Sequence, residues 1–176
     1  MPASRLRPPA AALVLVVVAG LALLLSGCGG DDRGPQTKEG FILDADGVCE
    51  SFAGEFQDAG SENPGTAKEV ADANKVLADL YERFGDVMGE VRLPASGPAR
   101  TQAKAYVDSV RASEPLLERL RATADAFLTA AQGQDRQALT VAGNDLRIAL
   151  DGFRASRARS DTLAVQYGLN LCGNLD

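Results

Sequence analysis

Three cysteines, at positions 28, 49 and 172, and not one histidine among 176 residues set the limits on what this chain can do chemically. A thiol can be acylated, oxidised to a disulfide or used as a metal ligand, whereas imidazole, the commonest general base near neutral pH and a common metal ligand, is missing from a chain without histidine. Cys49 and Cys172 lie far apart, unlike the C-x-x-C spacing of redox motifs, and two thiols alone are too few ligands for a metal. A structural staple is therefore favoured over a redox-active or metal-binding pair. No serine, threonine or lysine stands in a nucleophile elbow or a phosphate loop, although spacing leaves a Ser-Lys dyad open. The expectation is a protein that is not an enzyme and carries no cofactor and no metal.

The charged residues offer weaker signals. Asp44, Asp46 and Glu55 match the first, third and twelfth positions of a calcium loop, but Val48 and Cys49 occupy the fifth and the glycine position. Glu82, Asp86 and Glu90 repeat every four residues, a like-charged row that needs an offsetting cation, or water and the nearby Arg83. Arg136, Arg147 and Arg154 recur at spacings of eleven and seven, with Arg157 and Arg159 close by. On a helix the first three share a stripe that could meet anionic lipid headgroups or cell-wall phosphates. The plainer reading is intrahelical pairing, Arg147 with Asp151 and Arg157 with Asp161.

Helices must position these groups. Apolar residues three and four apart mark four segments: Ile42, Ala45, Cys49, Phe52 and Phe56; then Val70, Ala73, Leu77, Leu80, Phe84, Val87 and Val91; then Ala103, Tyr106, Val110, Leu117, Leu120, Ala124, Phe127 and Ala131; then Leu139, Ala142, Leu146, Ala149, Phe153, Leu163 and Tyr167. Ser113 fills a seam position in the third, and Ser156 and Ser160 do so in the fourth. Thr66-Ala67-Lys68-Glu69 reads as a capping box. The spacing predicts an all-α, antiparallel four-helix bundle over residues 41–176, with short connections at 58–65, 93–99 and 133–135. Pro115 should kink or break the third helix, with Ser113 able to cap its second half. In such a bundle the last helix ends at the pole where the first begins, so Cys172 can reach Cys49. The bridge would close a loop of about 124 residues.

Arg5 and Arg7 precede an apolar run from Ala10 to Leu25, followed by Ser26, Gly27 and Cys28. The run is too short for the roughly 20 residues that a membrane-spanning helix needs. Leu25-Ser26-Gly27-Cys28 resembles the lipobox of bacterial lipoproteins. The resemblance implies that residues 1–27 are a cleaved signal peptide and that Cys28 carries the lipid. Residues 28–40 then form a polar, glycine-rich tether, reading GGDDRGPQTKEG after the cysteine. Losing Arg5 and Arg7 takes Lys+Arg from 18 to 16 against 24 Asp+Glu, a formal charge of −8. Nucleic acid is an unfit partner for so acidic a chain.

Two further elements, Ala45-Asp46-Gly47-Val48-Cys49 and Tyr167-Gly168-Leu169-Asn170-Leu171-Cys172-Gly173, resemble a loose family of small helical lipoproteins of high-GC Gram-positive bacteria without an assigned activity. That resemblance implies a cell-envelope location on the outer face of the membrane and a Cys49 to Cys172 bridge. Gly168 can take the left-handed conformation that ends a helix, with Leu169 folding back on the apolar seam. The expected function is an envelope interaction or scaffold module, with the membrane and an envelope protein as partners. The alternative is a small-ligand or lipid binder using space between the helices.

Overall fold

The computed structural model describes residues 34–61, 64–133 and 135–175. The expected signal peptide, Cys28 and the tether up to residue 33 lie outside the described residues. Every regular element among those described is helical: α1 Lys38–Ser61, α2 Ala67–Glu90, α3 Gly97–Arg111, α4 Glu114–Gln132 and α5 Arg136–Tyr167, followed by a short 3-10 turn, Cys172–Asn174.

The helix ends follow local chemistry. Thr66 Oγ1 accepts the Glu69 N–H at 3.2 Å, and Glu69 returns its carboxylate to the N–H groups of Thr66 at 2.9 Å and Gly65 at 2.8 Å. The capping box opens α2 as expected. Asp135 does the same for α5, accepting from Gln137 at 2.8 Å and Ala138 at 3.2 Å. Helix α1 starts at Lys38 rather than Phe41, and its entry is tied down. Thr37 Oγ1 accepts the Gly40 N–H at 3.0 Å, and the Gln36 carbonyl accepts the Ala95 N–H at 2.9 Å. The last turn of the polar stretch thus belongs to the bundle.

The third segment is two helices, α3 and α4, joined by Ala112-Ser113. Pro115 has no N–H to give the Arg111 carbonyl, so the ladder lapses there. It resumes with the Leu116 and Leu117 N–H groups on the Ser113 carbonyl at 2.9 and 3.0 Å. Ser113 does not cap α4 through its hydroxyl, contrary to expectation. Its backbone is already helical, at φ −77 and ψ −16, which takes the side chain away from the N–H groups of the next turn.

Cross-helix pairs establish the antiparallel order. Phe52 and Phe56 of α1 meet Phe84 and Tyr81 of α2, with ring centroids 5.6 and 4.6 Å apart. Lys75 and Asp79 of α2 pair with Asp125 and Arg121 of α4. Ser109, Ser113 and Phe127 along α3 and α4 oppose Ser160, Ser156 and Gly143 of α5, a constant register across the break. Gly143 is where the Phe127 ring lodges, 3.6 Å from the position a Cβ would take. Phe41 and Tyr167 stack edge to face at 5.3 Å, which puts the start of α1 beside the end of α5.

The core runs between these rods, with Phe52, Phe56, Tyr81, Phe84 and Phe153 forming one aromatic cluster. Rings of this size dominate the burial energy, roughly 2 to 3 kcal/mol each relative to exposure. Helix α2 departs from its expected seam. Val87 is exposed and Val70, Ala73 and Leu77 are half-buried, while Ala71, Ala78, Tyr81, Gly85 and Met88 line the interior. Small residues recur one heptad apart at 71, 78 and 85 on the buried face; Gly85 lies against Val110 of α3, and α2 packs most extensively on α4. Apolar spacing alone does not single out this face, because Val70, Leu77 and Val87 form a stripe of helical spacing beside it.

Candidate functional site: the cysteine staple and the flank of the last helix

Helix α5 ends at Gly168, whose φ of 101 and ψ of 21 are left-handed. Its N–H reaches the Ala164 and Val165 carbonyls, and the Leu169 N–H returns to Ala164 at 2.9 Å. Leu169 is thereby folded into the core, with 1 % of its surface exposed. The chain then turns across α1, where Asp46 is waiting. Its carboxylate accepts the N–H groups of Asn170 at 3.2 Å, Leu171 at 3.0 Å and Cys172 at 3.4 Å. One helical turn further along α1, Cys49 meets Cys172 at an S–S distance of 2.02 Å, with Cα atoms 5.2 Å apart. Both sulfurs are buried, and Tyr106 Oη lies 4.0 Å from Cys49 Sγ.

Asp46 with Cys49 and Gly168 with Leu169 and Cys172 therefore form one assembly. A carboxylate, a disulfide and a helix stop jointly hold the C-terminal turn against α1. The Asp44, Asp46 and Glu55 series is not a calcium loop: Asp44 accepts from Gln36 Nε2 at 2.8 Å, Asp46 holds the C-terminal turn, and Glu55 pairs with Arg83 at 2.6 Å. Among the described residues no group of three His, Cys, Asp or Glu could hold a metal ion.

A polar seam runs through the interior between α3, α4 and α5. The hydroxyls of Ser109 and Ser160 stand 3.0 Å apart and those of Ser113 and Ser156 3.1 Å apart. Ser113 and Ser160 are each only 5 % exposed. Beside the seam lies a space of about 20 Å³, walled by Tyr81, Tyr106, Ser113, Arg157 and Ser160 among others. It has room for about one water molecule. Burial pushes the Tyr106 phenol far above its ordinary range, with Asp161 and Asp46 adding to the effect, so this hydroxyl keeps its proton.

The arginines divide. Arg136, Arg147 and Arg154 lie exposed on one flank of α5, and Asp151 stands between the last two, 3.2 Å from Arg147 and 3.9 Å from Arg154. Arg157 turns inward instead. It lies over the Tyr81 ring at 5.7 Å, approaches Asp161 at 3.7 Å, and donates from Nη2 to the Leu175 carbonyl at 2.6 Å. Arg157 holds the C-terminus and is therefore withdrawn from the expected outward anionic stripe. Arg121 of α4 pairs with one member of the acidic row of α2, Glu82, and with Asp79 at 2.8 Å. Burial opposes the Arg121 charge, but the two carboxylates outweigh it and raise the guanidinium pKa. Sequence spacing carried no sign of Arg121, because its partners are on another helix. Asp86 and Glu90 of the same row are exposed.

No helix among the described residues is long and apolar enough to cross a membrane. No family model, no curated protein and no solved structure matches this chain.

Proposed function

We propose that the chain is a lipid-anchored protein of the outer membrane face, a non-catalytic scaffold whose stapled bundle recruits another envelope component. The Cys49–Cys172 pair carries this reading. Disulfides persist in compartments outside the cytoplasm, and the pair supports that location independently of the apolar leader and Cys28. Cys28 takes the diacylglyceryl group, and the leader is removed before it.

Expression of the full chain with a labelled fatty acid tests the reading. The native chain should incorporate label and sediment with membranes at a mass lacking residues 1–27. Cys28→Ser should lose the label and retain its leader. A native chain that keeps its leader with Cys28 unmodified would overturn it. Crosslinking on intact cells then asks for a partner, and a protein that stays alone at native abundance would remove the scaffold role.

A further inference from the structure

We propose a binding site for a single-chain amphiphile with an anionic head in the crevice between α1, α2 and α5. The four rods do not close into a ring. Helix α5 packs extensively on α3 and α4 but hardly touches α1 beyond the Phe41–Tyr167 pole. The gap leaves an opening of about 330 Å³, at the lower end of small-ligand pockets. Phe56, Ala73, Leu77, Leu150 and Phe153 form its walls. Phe56 and Phe153 belong to the core and Leu77 and Leu150 pack half-buried against it, so an acyl chain inserted here extends the aromatic cluster.

The charge at its edge selects the head group. Arg154 lines the crevice and is 68 % exposed, and Arg147 stands two turns before it on the same flank. One carboxylate, Asp151, serves both, which leaves one positive charge of the three groups uncompensated. Arg157 at the inner end is fixed by Tyr81, Asp161 and Leu175, so it shapes the wall without moving to meet a ligand. A guanidinium beside an apolar slot matches a carboxylate or phosphate monoester on an alkyl chain. The site does not depend on how the N-terminus is anchored. The space beside the serines has room for only about one water molecule, so a ligand of this size fits the open side instead.

Photolabelling of the purified full chain tests this, with three twelve-carbon diazirine probes ending in carboxylate, phosphate or alcohol. The carboxylate and phosphate probes should label the walls, in peptides containing Leu77 and Leu150, at least five-fold more than the alcohol. Their relative yields tell which head is preferred. Arg154→Glu should lower labelling by the charged probes several-fold and leave the alcohol unchanged. Leu150→Trp, which fills the slot, should block all three, provided that circular dichroism shows native helix content. Labelling spread over the surface, equal among the probes, or unchanged in both variants would overturn the proposal.

Discussion

The carboxylate of Asp46 accepts the backbone N–H of Leu171 at 3.0 Å, across 125 positions of sequence. Cys172 and Asn170 offer their N–H groups to the same side chain, so a single acidic residue on α1 holds the turn that brings Cys172 to Cys49. Replacing Asp46 by Ala leaves these N–H groups without their acceptor. Hydrogen bonds to a charged partner contribute about 1.5 to 3 kcal/mol, and Asp46→Ala should destabilise the domain by roughly 2 kcal/mol. Urea unfolding of the oxidised protein measures it. An effect below about 0.5 kcal/mol would show that the disulfide alone holds the turn.

Removing the bridge acts on the unfolded chain. Cys49→Ser with Cys172→Ser should cost up to about 4 to 5 kcal/mol in the chain-entropy model, since the closed loop spans most of the domain. Adding reductant should lower the native protein's stability and leave the double variant unchanged. Equal sensitivity of the two proteins would mean that the sulfurs are not joined in solution.

Ser113 and Ser156 should behave as a coupled pair. Ser113→Ala alone leaves a shielded hydroxyl on Ser156 without its partner, and Ser156→Ala does the reverse. Changing both removes the polar demand together, so the double variant should lose less than the two single losses added, with a coupling of about 0.5 to 1 kcal/mol. A thermodynamic cycle by chemical denaturation measures it, and strict additivity would contradict the pairing.

Stability should depend on pH through Glu69. The Gly65 N–H, followed by the Thr66 N–H and hydroxyl, holds its carboxyl below the ordinary value of 4.5. A depressed folded-state pKa means that the charged form stabilises the fold above pH 4.5, and that this contribution fades as pH falls through the lower folded value. The difference in melting temperature between the native chain and Glu69→Gln should therefore be largest near neutrality and shrink in acid. A difference independent of pH would count against the capping role.

Two glycines near the C-terminus should resist substitution for different reasons. Gly168→Ala meets only ordinary contact, with Ile42 Cδ1 at 3.8 Å, but must hold a φ of 101, at a cost of about 1 kcal/mol or more. Gly173→Ala has no such backbone demand. Its Cβ would lie 2.5 Å from Val165 Cγ2, and the valine must move. Val165→Ala should rescue Gly173→Ala and do nothing for Gly168→Ala, which melting curves of the two double variants would show.

Much of this was legible in the chain because it is local. Helical periodicity, the Thr66 box and the stop at Gly168 depend on neighbours within a few residues, and each is found where its spacing puts it. The exception at α2 has a physical reason: the buried seam there uses Ala71, Ala78 and Gly85, and Val70, Leu77 and Val87 form a stripe of helical spacing beside it. Ser113, Ser156 and Ser160 were visible as breaks in apolar stripes, but their mutual register needed the antiparallel pairing of α4 with α5. Arg157 was indistinguishable from Arg154 by composition. Three positions rotate a helix by some 300 degrees, and that small offset separates a core clamp from an exposed cation. The crevice has no local signature, because its walls come from three helices separated in sequence.

The staple also determines how the domain would respond to tension. A pull applied between the two ends of the chain passes from α1 through the sulfur atoms into the last few residues, and residues 50–171 hang as a side loop that carries no force. Among the described residues, α1 up to Cys49 and the few residues after Cys172 lie outside that loop and can be peeled away. A protein moored at one end and gripped at its own C-terminus would lengthen by a few turns of helix and then go taut, with its core still folded.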